Sequence, residues 1–439
     1  MVTKRLKAYK VRLYPNKTQE VLINKTFGCC RFLFNQMLNE RKEIYQKLKK
    51  DKNELYTHKY KTEKEYKQEY EFLKEVDSIA LQQSRRNLEN AFNNFFKSCS
   101  GKRKGKRVGY PKFKSKKDNS MSYYTTITRN NIDIVFENQR LKLPKLKWVK
   151  YKDNRVFNGI IINVTVSKEP SGKYYASILV EEVVETQIHQ INSHTRSIGL
   201  DYDSKNLFTE NKGGVAGYLR FFRLYEKKLA RAQRKLSHKI IGSNNRNKQR
   251  IKVTRIHETI TNSRKDFQQK LSTQLVRDYD IIGVESLNMQ AMSQCLNLGK
   301  STMDNAWGYF IHMLEYKCEW YGKHLVFADK FYASSKMCNV CGYKNITLTL
   351  SDRVWYCPIC GTHHNRDTNA AINLMNNAVN SLTNVESNTV GTTGINACGD
   401  SVRLGTSNQA VVIEARNILS NDSDCSKAPP IRLFLKYER

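Results

Sequence analysis

Residues 5–14 alternate in polarity, with Tyr9, Val11 and Leu13 on one side and Lys10 and Arg12 on the other. That period of two predicts a half-buried strand. Pro15-Asn16 ends it, and Asn16 with Gln19 has the spacing of a capping box, so a helix should follow with Leu22, Cys29, Leu33 and Met37 along its apolar side. From 40 to 98 the pattern stays helical and charge-dense, closing on Leu88, Phe92, Phe95 and Phe96, a cluster better suited to core than to base stacking. Strands return between 120 and 184, at Ile132–Phe136, Gly159–Ser167 and Lys173–Val180, the last two joined by Pro170-Ser171-Gly172. Pairing of strand 5–14 with these later strands would make the helices an insertion in an antiparallel β unit. A second unit begins near Thr195. Arg196–Asp201 and Asp280–Glu285 read as short buried strands, each ending in an acid. Between them, Leu219–Lys239 is amphipathic, with Phe222, Tyr225, Leu229 and Leu236 inward and a basic opposite face, and 243–277 is a long polar helix. A helix over Met303–Tyr321 and a strand at His324–Phe327 complete an alternation that indicates α/β layers.

Charge changes the picture. The 439 residues carry 75 Lys and Arg against 41 Asp and Glu, a formal net charge of +34. Such an excess repels itself unless a polyanion neutralises it, which points to nucleic acid. Twenty-four Tyr and eighteen Phe among the cations suit stacking on unpaired bases. Residues 101–117 hold nine Lys or Arg and no acid, with Tyr110 and Phe113 among them. We read this stretch, and Lys102, Arg103, Lys104, Lys106 and Arg107 in particular, as a nucleic-acid-clamping loop rather than a solvated tether. No run of eighteen apolar residues and no apolar leader occurs, so no membrane association or secretion is expected. Eleven cysteines, Cys29 and Cys30 adjacent, show no disulfide framework, which fits a reducing cytoplasm and leaves the sequons at Asn163 and Asn345 without meaning. Residues 378–439 carry six basic and six acidic side chains in an Asn/Ser/Thr-rich background, as expected of a disordered or loosely attached tail.

Two C-x2-C pairs, Cys338/Cys341 and Cys357/Cys360, stand fifteen residues apart, each followed by glycine (Gly342, Gly361). Four thiolates so spaced suit a tetrahedral structural Zn²⁺ site with no position open for chemistry. His363 and His364 are near enough to compete, but four cysteines already fill the shell. Asp367 follows at the start of an apolar-periodic helix, where an N-cap role would be the ordinary explanation. Asp201 could equally be a turn residue, and Glu285 a solvated strand end. Together, however, the three acids sit where ligands converge on an α/β sheet edge, and a polyanion-binding protein could neutralise them with a pair of Mg²⁺ or Mn²⁺ ions that hydrolyse a phosphodiester.

These residues resemble the TnpB family, the transposon-associated proteins related to type V CRISPR effector nucleases. The matching stretches are IGLD at 198–201, FRLYEKKLARAQRKLS at 222–237, RKDFQQKLST at 264–273, GVESLN at 283–288, WGYFIHMLEYKCEWYG at 307–322, SSKMCNVCG at 334–342, SDRVWYCPICG at 351–361 and RDTNAAINL at 366–374. The resemblance implies an α+β multidomain protein. Residues 1–190 would form a β-barrel-like domain with a helical insertion over about 16–118, holding guide RNA and target DNA. Residues 191–377 would form a RuvC-like, RNase H-fold nuclease with a zinc ribbon inserted at 333–363. Asp201, Glu285 and Asp367 fall on the family's catalytic, magnesium-binding acids. Three positions depart from the family pattern: Asp203 adds a carboxylate near the metals, Asn365 stands where an acid often precedes Arg-Asp, and Ala333 replaces a common Pro. The implied function is an RNA-guided endonuclease of an insertion-sequence element acting on double- and single-stranded DNA. The alternatives are a nuclease-inactive repressor of the same fold and, more weakly, a strand transferase. Guide sequence, flanking motif and oligomeric state are not encoded in any motif.

Overall fold

The computed structural model describes residues 2–116, 121–128, 130–185, 189–192, 194–295, 298–349 and 351–387, and two short strands at 393–395 and 401–403. The chain divides between Val184 and Glu185 into two compact units.

In the first unit, β1 (Val2–Tyr14) buries Tyr9, Val11 and Leu13 as the alternation requires. Asn16 and Gln19 do form a reciprocal capping box, opening α1 (Lys17–Leu48). The insertion continues through α2 (Lys52–Thr57), α3 (Glu63–Glu69) and a 3₁₀ turn to α4 (Ser78–Cys99). Asp77 caps α4 through the amide of Ile79 and also accepts from Thr125 at 2.6 Å, tying the helix to the sheet. Phe92 is buried and meets Tyr110 edge-on, so this aromatic cluster is core. The strands that follow are β2 (Met121–Thr126), β3 (Asp133–Val135), β4 (Arg140–Leu143), β5 (Lys147–Lys152), β6 (Ile160–Lys168) and β7 (Tyr174–Glu185). Their order is β2-β6-β7-β1-β5-β4-β3, with β1 between its late partners. The described strands thus make an open sheet, which corrects the expected barrel-like domain. Closure needs the two edge strands to pair, and β3 is three residues long and pairs with β4 alone.

The second unit centres on a four-stranded sheet, β11-β10-β8-β9. Strand β8 (Ser197–Asp203) lies antiparallel to β9 (Leu207–Glu210) and parallel to β10 (Ile281–Val284), which in turn lies parallel to β11 (His324–Phe327). Between β9 and β10 run α5 (Phe221–Ser237) and α6 (Asn244–Asp278). After β10 come α7 (Met289–Cys295), α8 (Gly299–Asn305) and α9 (Trp307–Tyr321). The single helix expected over 303–321 is therefore two, broken where Ala306 turns left-handed at φ 47°. The strands β12 (Val354–Tyr356) and β13 (His363–Asn365) pair within the cysteine segment, and α10 (Arg366–Ser387) follows, before the short pair β14 (Thr393–Ile395) and β15 (Ser401–Arg403). Helix α10 thus extends ten residues into the stretch read as a tail, most of which lies outside the described residues.

Two glycines decide how closely α10 approaches the sheet. A Cβ on Gly199 would stand 1.9 Å from the Ala371 carbonyl oxygen, and one on Gly283 would stand 2.4 Å from that of Leu374. With Ala370 and Ala371 fully buried on the helix side, backbone packs on backbone, and the first turn of α10 is drawn to the strands' carboxyl ends. No helix among the described residues is long and apolar enough to cross a membrane.

Candidate functional site

Strands β8 and β10 run parallel with Leu200 opposite Val284. Asp201 and Glu285 are the next residue on each, so in-register neighbours about 4.8 Å apart carry both acids side by side. Asp367 joins them from the first turn of α10. The Asp201 carboxyl is held well above the usual carboxylate range, chiefly by desolvation, then by the charges of Glu285 and Asp367 and a hydrogen bond with Glu285; Arg366 opposes the shift. Three oxygen donors of this hardness are residues that could hold divalent cations such as Mg²⁺ or Mn²⁺, with Arg353 and Arg366 offsetting part of their repulsion.

Each acid has supports that sequence reasoning missed. Ser334 Oγ donates to Glu285 Oε1 at 2.7 Å. Asn373 Nδ2 donates to the carbonyls of Ser334 and Met337, both at 2.7 Å, while Asn369 Nδ2 reaches Met337 O at 2.7 Å and its Oδ1 accepts from the Asn339 amide. Both asparagines are buried one turn apart on α10, clamping the first cysteine knuckle. Arg353 Nη1 lies 3.1 Å from Asp367 Oδ2, and Arg366 Nη2 lies 3.1 Å from Oδ1. Asn305 Nδ2 donates to Ser204 O at 3.0 Å, just past Asp201, while Asp304 Oδ1 accepts from the Phe222 amide at 2.9 Å and so caps α5, whose own N-cap residue Arg220 does not. The Asn-x3-Asn spacing at 369 and 373 was the visible signal; the other contacts link residues too far apart in the chain to leave one.

All three departures have local contacts, two of them through the side chain. Asn365 Oδ1 accepts from the amides of Asp367 and Thr368, both at 3.1 Å, so the α10 cap is Asn365 and the Asp367 carboxylate is free of that duty. Asp203 accepts from Lys205 N at 2.8 Å and Asn206 Nδ2 at 2.7 Å, which makes it the closing residue of the β8–β9 turn. Ala333 O accepts from the Lys336 and Met337 amides, both at 3.1 Å, in the turn before the knuckle.

The sulfurs of Cys338, Cys341, Cys357 and Cys360 lie within 4.8 Å of one another, with Cys338–Cys360 at 3.6 Å and Cys341–Cys357 at 3.5 Å. Zn–S bonds of about 2.3 Å in a tetrahedron need sulfurs about 3.8 Å apart, so the four fit a zinc ion. The glycines serve matching turns: Gly342 N donates to Cys338 O and Gly361 N to Cys357 O, at φ 76° and 67°. Thr362 hydrogen bonds lower the Cys360 thiol to about 6. His364 Nε2 stands 3.1 Å from Cys338 Sγ, packed on Trp355, outside the sulfur set.

In the other unit, Lys102, Lys104, Lys106 and Arg107 are exposed, and Arg103 is half-buried, its amide donating to Lys97 O. The loop is pinned rather than free: Val108 N donates to Ser98 Oγ at 2.9 Å, and Asn35 exchanges two hydrogen bonds with the Lys114 backbone. Lys117 lies outside the described residues.

With fold and site in view, the chain was compared with known proteins. Family models match at residues 1–50 ("Helix-turn-helix domain"), 177–296 ("Probable transposase", of the IS605 OrfB type) and 307–374 ("Cas12f1-like, TNB domain"). A "Putative RNA-guided DNA endonuclease" of Streptomyces pristinaespiralis is 33% identical over 403 residues, covering 90% of this chain and 92% of its own. The "Putative RNA-guided DNA endonuclease InsQ" of Escherichia coli strain K12 is 33% identical over 387 residues, covering 85% and 92%. A Cas12f1 chain from a complex with guide RNA and target DNA covers 85% of this chain and 99% of its own, at 13% identity and a TM-score of 0.30. The class the matches define is that of IS605-type insertion-sequence proteins, with relatives named as RNA-guided DNA endonucleases. This chain belongs to the TnpB family.

Proposed function

We propose that the chain is an RNA-guided DNA endonuclease of an insertion-sequence transposon that hydrolyses target phosphodiesters with divalent cations held by Asp201, Glu285 and Asp367. The observation that carries this reading is the meeting of the three acids at one sheet edge in a chain of net charge +34. Two close relatives named as RNA-guided DNA endonucleases support it. The guide would pair with the target, leaving the protein to read backbone shape and a short flanking motif. The Lys4–Val184 unit, with Lys102, Arg103, Lys104, Lys106 and Arg107 in its basic loop, would hold guide RNA and target duplex. The other unit would be the RuvC-like nuclease, with Zn²⁺ in its cysteine ribbon.

When bound, the catalytic cations supply a hydroxide from water and neutralise the leaving oxygen. The chain's own residues do the rest. Ser334 fixes the Glu285 carboxylate, and Asn369 and Asn373 fix the Ser334 turn. Arg353 and Arg366 balance the Asp367 charge, and the exposed Arg353 is placed where it would face a substrate phosphate. Water attack would form a new P–O bond and break the bond to one bridging oxygen; one water proton goes to solvent, and the departing oxygen takes up a proton from solvent to leave as a hydroxyl. The test is to purify the protein with its copurifying RNA, sequence that RNA, and offer a plasmid carrying the matching target. Cutting that needs Mg²⁺ or Mn²⁺ and stops with EDTA is expected. Guided binding without any cutting would instead establish the repressor.

A further inference from the structure

Helices α5 and α6 form a hairpin whose outer half is strongly basic and carries two bare isoleucines at its tip. Residues 227–257 contain eleven Lys or Arg and no Asp or Glu. Ten of these cations are exposed, among them Arg231, Arg234, Lys235 and Lys239. At the tip stand two adjacent isoleucines, Ile240 and Ile241, 80% and 85% exposed. Two bare β-branched side chains at one point are costly in water unless something covers them.

The tip is a built structure. Arg246 Nη1 donates to the Leu236 and Lys239 carbonyls at 2.9 and 2.7 Å, closing the end of α5. Ser243 Oγ accepts from Arg246 N at 3.1 Å and donates to Ile240 O at 2.9 Å, and Gly242 turns at φ 87°. Gln249 Nε2 ties α6 to Ala232 O at 2.9 Å. The isoleucines are thus presented on a pre-organised turn, which limits the entropy lost on docking.

We propose that this tip seats on the exposed base-pair face at an open end or fork of a nucleic-acid duplex. A duplex cut across its axis offers the complementary pattern: an apolar base-pair face ringed by phosphates. Isoleucine is among the residues that wedge against unstacked base steps, and the surrounding cations meet the flanking backbones. The inference rests on the nuclease reading for its partner, and deepens it by giving the hairpin the place where paired strands part.

The full-length protein tests this against two duplexes of equal length, one with open ends carrying 2-aminopurine in the terminal pair, the other closed at both ends by hairpin loops. Wild type should bind the open duplex about tenfold more tightly and change the 2-aminopurine fluorescence. The double variant Ile240→Ser/Ile241→Ser should lose that preference and signal with its salt dependence unchanged. Arg231→Gln/Lys235→Gln/Lys239→Gln should weaken both duplexes and flatten the salt slope. Equal wild-type affinity for the two duplexes, or a preference that survives in the serine variant, overturns the proposal. So does an isoleucine dependence that shows only as self-association in sedimentation or as binding to anionic vesicles. A wild type that cleaves guided targets yet ignores duplex ends removes this inference alone, whereas one that binds no nucleic acid removes the nuclease reading with it.

Discussion

At the scale of single residues, the site is a division of labour between neighbours. Asn365 caps α10 and Asp203 closes a turn, so neither duty falls on Asp367 or Asp201. Asn365→Ala should therefore cost about 1 kcal/mol of stability, read by chemical denaturation, while guided cleavage persists. Asp201→Asn should behave oppositely. It replaces a buried carboxyl whose ionised form is opposed by desolvation and by two neighbouring acids, so without divalent cations the thermal midpoint should hold or rise, and cutting should cease. The three acids were legible because each follows a short buried apolar run or opens a helix in a local pattern, although β8 runs two residues past Asp201. Ser334, Arg353 and Asn305 were not, because their partners lie 49, 14 and about 100 residues away and no local periodicity marks such contacts.

At the scale of elements, legibility followed the strength of local signals. The long helices α5 and α6 and the buried strands β8 and β10 lie where hydrophobic period placed them. Strands β4 and β5 escaped because lysine-rich segments joined by turns with Gln139, Lys145 and Lys147 at positive φ carry no glycine signature. The break between α8 and α9 was hidden for a related reason: Ala306 is a good helix former, and buried tertiary contacts of Asp304 and Asn305 override it. The junction of α9 with α6 holds a buried lysine. Lys317 Nζ donates to Gln269 O, Ser272 Oγ and Thr273 Oγ1 at 2.7–2.9 Å, and burial lowers it from 10.5 to about 8. Between about pH 8 and 10.5 the unfolded chain binds the proton that the folded one lacks, so stability should rise with pH across that window. Below it the buried cation weighs against folding by up to about 3 kcal/mol. Lys317→Met should flatten this rise in a series of thermal midpoints against pH, and an unaltered series would mean the lysine is solvated.

At the scale of the whole molecule, charge and chemistry are allotted to different parts of the chain. The +34 excess lies upstream of residue 378, in the basic loop and the α5–α6 hairpin above all. Replacing Lys102, Arg103, Lys104, Lys106 and Arg107 with Gln should weaken RNA and DNA binding without regard to sequence and reduce its salt slope; an unchanged slope would make the loop a tether. The open sheet of the first unit could not be foreseen, since alternation fixes which face of a strand is buried but not whether the edges meet. The central claim is that cutting belongs to the three acids while guided binding belongs to the rest of the chain. It is tested most directly by measuring, on one target plasmid with the cognate RNA, both binding and cleavage by Asp367→Ala beside wild type. Cleavage should fall about a hundredfold or more with affinity within about twofold. Cleavage that persists in the variant, or that declines only in step with lost binding, would contradict the account.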